Sequence, residues 1–150
     1  MRKLCDRKSA ARSSRHLLQS ELSAVKLLIT GACGFAGSRL AEAFRQHASE
    51  DQISITGMDN LSRSGSWVNR KRLAKLDVNV VHGDIRCASD FDLLEGFDWV
   101  IDAAADPSVL AGVGLAGSSR QLVEHNLAGT VNILECCKRW RAGLILLSTS

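Results

Sequence analysis

Three glycines recur at every third position in the stretch Thr30-Gly31-Ala32-Cys33-Gly34-Phe35-Ala36-Gly37. Set between a strand and a helix, this spacing makes a backbone that a diphosphate can approach closely. Gly31 permits the tight turn, Gly34 lets a pyrophosphate reach the backbone, and Gly37 lets helix and strand pack together. The helix N-terminus adds free N–H groups and a partial positive charge. An ordinary strand-to-helix turn is the simpler account of a glycine triplet, and the flanking residues decide against it. Val25, Leu27, Leu28 and Ile29 form the short apolar run of a buried parallel strand. Leu40, Ala41 and Phe44 then recur at helical spacing within Ser38–His47.

Other candidate residues stand where further strands end. Asp59 follows Ile53–Met58, roughly 20 residues beyond the glycine turn, where a carboxylate can accept from both ribose hydroxyls and repels a 2′-phosphate. That favours NAD over NADP, although Arg63 nearby is of a type that holds a 2′-phosphate. A solvated turn carboxylate is the simpler account of Asp59. Asp84 and Ile85 follow Val78–His82, where the carboxylate can accept from an adenine amino group and the isoleucine can pack on the ring. Ala103, Ala104 and Ala105 suit a cofactor lying against the backbone, or equally a tightly packed sheet. Asn126 is a poor helix former inside a helical pattern, placed to bridge helix and sheet or simply exposed. His16, His47, His82 and His125 show no ligand spacing, so no metal site is expected.

From Val25 onward, strands and helices alternate with short connections, the pattern of a parallel sheet covered on both faces. The expected strands are Val25–Thr30, Ile53–Met58, Val78–His82, Trp99–Ala103 and Leu144–Leu147. The expected helices run from about Gly34 to His47, over Trp67–Leu76, near Asp90–Leu94 and over Ser119–Arg139. The last carries Leu122, Val123, Asn126, Leu127, Thr130, Ile133 and Leu134 along one side. Pro107 closes the fourth strand, and Leu110–Gly117 reads as a flexible loop. Right-handed crossovers give an α/β, Rossmann-type doubly wound sheet of order 3-2-1-4-5, with ligands at the carboxyl ends of the strands.

The chain has 150 residues, 45% of them hydrophobic and 23% charged, enough for one domain with its own core. No apolar run is long enough to cross a bilayer. The net charge of +3 is too small to indicate a nucleic-acid partner, and its basic excess is local. Met1–Ala24 sets Arg2, Lys3, Arg7, Lys8, Arg12 and Arg15 against only Asp6 and Glu21. It reads as a disordered, dispensable basic extension in preference to a transit peptide, leaving residues 25–150 as the domain. The five cysteines show no C-x-x-C pair. Free thiols in a reducing cytoplasm are expected, with Cys136 and Cys137 as packing and surface positions of a helix.

Taken together, these landmarks resemble one family. TGACGFAG at Thr30–Gly37, MDNLSR at Met58–Arg63, HGDIR at His82–Arg86, DAAADPSV at Asp102–Val109, EHNLAGTVNILE at Glu124–Glu135 and LLSTS at Leu146–Ser150 follow in order. Val25–Ser150 is similar to the N-terminal half of the extended short-chain dehydrogenases/reductases, the NAD-dependent sugar-nucleotide epimerases and dehydratases. The resemblance implies that the glycine loop with Phe35 and Ala36 holds the pyrophosphate. Asp59, Asn60, Leu61, Ser62, Arg63 and Ser64 would contact the adenosine ribose, Asp84 and Ile85 the adenine, and Ala103–Pro107 the nicotinamide side. Asn126 matches a further cofactor-binding position. Thr149, with Ser150 as second choice, would assist catalysis by hydrogen bonding the sugar hydroxyl. The phrases DNLSRSGS and DAAADPSVLAGV point to a CDP-linked deoxyhexose substrate, and the family implies a homo-oligomeric parent. The family's base is a tyrosine in a Tyr-x-x-x-Lys motif further along, and this chain contains no tyrosine. The expectation is therefore a fragment, truncated before that motif and inactive alone.

Overall fold

Leu27, Leu28, Ile29 and Thr30 are all buried in β1 (Val25–Thr30), which is flanked by strands on both sides. A strand so enclosed buries successive side chains against opposite faces, so its apolar run is continuous. Leu27 and Ile29 pack with Ala41, Ile55, Leu73 and Ile101 on one face. Leu28 packs on the other with Met58, Phe91, Val100 and Ile133. Each of these large side chains stabilises the fold by about 1.5–3 kcal/mol relative to an exposed position.

The computed structural model describes residues 23–106 and 119–147. The expected extension up to Leu22, Pro107, the loop at Leu110–Gly117, and both Thr149 and Ser150 lie outside the described residues. Elements follow as β1, α1 (Phe35–His47), β2 (Ile53–Asp59), α2 (Ser66–Ala74), β3 (Asn79–His82), α3 (Ala88–Phe91) and β4 (Trp99–Asp102). Then come α4 (Ser119–Leu122), a π-helical turn (Val123–Gly129), α5 (Thr130–Trp140) and β5 (Gly143–Leu146). All pairings are parallel and the sheet order is β3-β2-β1-β4-β5, as the sequence implied. Thr30 at the end of β1 is level with Met58 of β2 and Asp102 of β4. The order reverses between β1 and β4, which opens a crevice at the strand ends.

The long helical pattern departs from expectation. Instead of one α-helix over Ser119–Arg139, the run changes to π geometry at Val123–Gly129 and back again. The extra residue per turn rotates the expected apolar face. Ile133 is buried, whereas Val123, Leu127 and Leu134 are exposed. Cys136 and Cys137 are both buried, so neither is a surface position. Expected helices at Trp67–Leu76 and Asp90–Leu94 begin earlier, at Ser66 and Ala88. Among the described residues, no helix is long and apolar enough to cross a membrane.

Candidate cofactor site

The glycine loop is shaped by contacts that leave no room for a side chain. Gly31 has φ +62°, and a Cβ there would meet the Ala103 carbonyl oxygen at 2.5 Å. A Cβ on Gly37 would collide with the Gly31 carbonyl oxygen and lie 2.8 Å from Ala32 Cα. Gly34 is less constrained, at 3.1 Å from the Gly31 oxygen. The loop is also held from outside. The Cys33 amide donates to Asp59 Oδ2 at 2.9 Å, and its carbonyl accepts from Asn69 Nδ2 at 2.8 Å. Burial, reinforced by the Asp59 carboxylate, pushes the Cys33 thiol up to about 11.

The 13-residue helix α1 starts at this loop with Gly34 as its cap, no side-chain cap hydrogen bond and no acidic residue in its first turn. Its N-terminal amides and dipole are thus left for an anion. Phe35 and Ala36 sit there exposed, Phe35 at 82%. The loop borders a cleft of about 530 Å³ at the carboxyl ends of the strands.

One wall of the cleft is the end of β2 with the loop after it. Asp59 is 9% exposed and lines the cleft, while its Oδ1 accepts from the Leu61 amide at 2.8 Å. Both its oxygens therefore take a backbone donor, and each has a lone pair left for a ribose hydroxyl. Asn60, Ser62 and Arg63 also line this wall, whereas Leu61 and Ser64 do not. Ile85 lines the cleft from beyond β3. Asp84 stands behind it, accepting from the Arg86 amide at 3.0 Å, from Arg86 Nη2 at 2.6 Å and from Asn60 Nδ2 at 3.0 Å. The bonded Arg86 side chain holds the Asp84 carboxyl well below the usual carboxylate range.

The opposite wall is formed by Ala103, Ala104, Ala105 and Asp106. Asn126 does not line the cleft; exposed, it still bridges helix and sheet. It accepts from the Asp106 amide at 2.8 Å and donates to the Asp106 carbonyl at 3.2 Å. Behind the wall, buried Asp102 accepts from the Thr30 hydroxyl at 2.7 Å and the Ala104 amide at 3.1 Å, tying β1 to β4.

Sequence reading missed Gln121, His125, Arg86 and Ser66 in the cleft, and Asn69 and Asp102 as supports. An acid inside the apolar run Trp99–Asp102 was the available signal for Asp102. His125 and Gln121 reach the cleft from the irregular helical run, off the apolar face that its spacing marks.

A glycine loop at an uncapped helix N-terminus, a carboxylate at the end of β2 and an apolar wall at Ile85 fit a dinucleotide. Comparison with known proteins agrees. A model of the NAD dependent epimerase/dehydratase family matches residues 27–150. The CDP-paratose 2-epimerase of Salmonella typhi is 32% identical over 133 residues, covering 84% of this chain and 36% of that protein. The dTDP-glucose 4,6-dehydratase of Streptomyces niveus is 32% identical over 124 residues, covering 79% and 36%. The chain thus spans little more than a third of the length of these relatives. A UDP-glucuronic acid 4-epimerase variant from Bacillus cereus, solved with a fluorinated UDP-glucuronic acid and NAD, superposes with TM-score 0.72 at 27% identity, covering 83% of this chain and 40% of that one. On this cleft, this strand order and these matches, the chain belongs to the NAD dependent epimerase/dehydratase family.

Proposed function

We propose that the chain is the NAD-binding portion of a nucleotide-sugar epimerase that inverts C2 of a CDP-linked deoxyhexose through a transient keto intermediate. The observation that carries the nucleotide reading is the uncapped N-terminus of α1 opening on the cleft. The glycine loop holds the diphosphate, Asp59 the adenosine ribose, Ile85 packs on the adenine, and Ala103–Ala105 give the nicotinamide a flat approach. When bound, NAD supplies the hydride acceptor and donor, and the protein supplies orientation and electrostatics. Thr149, with Ser150 second, hydrogen bonds the sugar hydroxyl. The C2 and CDP assignments rest on DNLSRSGS and DAAADPSVLAGV and on the Salmonella typhi relative.

A second reading, a sugar-nucleotide 4-epimerase or 4,6-dehydratase, has the support of the Streptomyces niveus relative at equal identity. A third, a non-catalytic NAD-binding module, has the support of the chain's lack of tyrosine. General-base help is worth about 10²–10⁴-fold, so we expect no turnover by these 150 residues alone. The parent is proposed to be a homo-oligomer in the cytoplasm. The exposed stripe Val123, Leu127, Val131 and Leu134 supports association.

Two measurements test this. Calorimetric titration should give saturable NAD binding, and its absence would end the nucleotide reading. Purified chain given NAD and CDP-paratose should yield no epimer by NMR above the enzyme-free control, and clear turnover would overturn the proposed inactivity.

A further inference from the structure

The loops that follow β2 and β4, on either side of the glycine loop, are joined by an ion pair. Arg63 Nη2 lies 2.9 Å from Asp106 Oδ1. Arg63 follows the end of β2 and Asp106 the end of β4, and β1 with its glycine loop lies between those strands. The pair therefore crosses the path that a diphosphate must take to reach α1. Both residues line the cleft, which keeps about 530 Å³ with the pair closed.

The two ends of this bridge are unequally held. Asp106 is anchored through its backbone to Asn126, and its Oδ2 accepts from Gln121 Nε2 at 3.4 Å. Arg63 lies in an exposed loop between two left-handed residues, Leu61 at φ +55° and Gly65 at φ +88°. A Cβ on Gly65 would meet nothing within 4 Å, so this end of the loop is not packed. The side chain of Arg63 is 56% exposed and that of Asp106 13%. Arg63 is thus the half free to swing, and Asp106 the fixed post.

We propose that Arg63 and Asp106 form a retaining strap over a bound dinucleotide, setting how fast it enters and leaves. This rests on the nucleotide reading of the cleft. Because the cleft keeps its volume with the pair closed, the strap acts on rates more than on affinity. Opening it breaks one partly exposed ion pair, and such pairs are worth under about 1 kcal/mol, a factor of about five at most.

Stopped-flow binding of NADH to the 150-residue chain, followed by nicotinamide fluorescence and chased with excess NAD, tests the strap. Arg63→Gln and Asp106→Asn should each raise association and dissociation rates about two- to fivefold. The affinity should move less than either rate, and the double variant should be no faster than the faster single one. The sign for Arg63→Gln is decisive, because removing a cation that merely steers a diphosphate slows association. Slower association in that variant, or multiplying effects in the double variant, would overturn the strap. Saturable binding with unchanged rates would overturn the strap alone. No saturable NADH binding by the wild-type chain would remove the nucleotide reading and the strap together.

Discussion

The Cys33 amide, in the middle of the glycine loop, donates to the Asp59 carboxylate at 2.9 Å from a strand 26 residues on. The residue proposed to read the ribose therefore also caps the glycine loop proposed to hold the phosphates. On that proposal, recognition of the sugar and the shape of the loop depend on one side chain.

Asp59→Ala should accordingly do two things. It leaves the Cys33 and Leu61 amides without their acceptor, and a hydrogen bond to a charged group is worth about 1.5–3 kcal/mol. Urea unfolding should show a loss of about 2–4 kcal/mol, since the two amides share one carboxylate. Calorimetry should show the preference for NAD over NADP weakened. Tighter binding of NADP than NAD by the wild-type chain would refute the ribose role of Asp59.

Gly37→Ala should be among the most damaging small substitutions. The new methyl would meet the carbonyl oxygen and carbon of Gly31 and Ala32 Cα, all of them backbone. We expect about 3 kcal/mol or more of destabilisation in denaturant melts. Gly65→Ala is the control: nothing crowds its Cβ, so only its left-handed backbone resists, at about 1–2 kcal/mol. Equal losses at the two positions would contradict the packing described for the loop.

Asp84 predicts an acid limb. Its native carboxyl is depressed chiefly by the Arg86 side-chain hydrogen bonds, so the unfolded chain binds the proton more readily. The pair's contribution is fully present above the unfolded carboxylate value near about 4. It is lost as pH falls from there toward the lower native value. Urea midpoints measured from pH 6 down to about pH 2 should fall less steeply for Asp84→Asn than for the wild type. Parallel profiles would mean that the pair contributes nothing net.

The thiols should separate by reactivity. Cys33 is buried with its thiol raised to about 11, whereas Cys87 is exposed. Alkylation by iodoacetamide at pH 8, mapped by peptide mass spectrometry, should modify Cys87 at least about 100-fold faster. Comparable rates would show that the glycine loop opens freely.

How much of this was legible follows from what each feature depends on. The strand order and the glycine cradle were readable because apolar runs and glycine spacing act locally, and Val25–Thr30 appears with the expected bounds. The cleft wall at Asp59 and Ala103–Ala105 was readable because strand ends place ligands in such sheets. Arg86 on Asp84, Asn69 on Cys33 and Arg63 on Asp106 were not, because long side chains choose partners across space. Nor was the irregular stretch at Val123–Gly129, since exposed Val123 and Leu127 keep an α-like spacing even where the backbone abandons it.

That π-helical stretch also bears on how the chain can change over generations. A π turn is what a helix becomes when it absorbs one inserted residue without breaking. The insertion moves everything upstream by about 100° relative to everything downstream. Downstream, Ile133, Cys136 and Cys137 keep their seats under the sheet. Upstream, Gln121 lines the cleft from α4, and His125 does so from within the π stretch. Loss of a single codon from Val123–Gly129 would restore a plain helix and swing Gln121 elsewhere, with the buried half undisturbed. Gain or loss of one residue here is thus a heritable adjustment that re-aims one wall of the cleft in a single step.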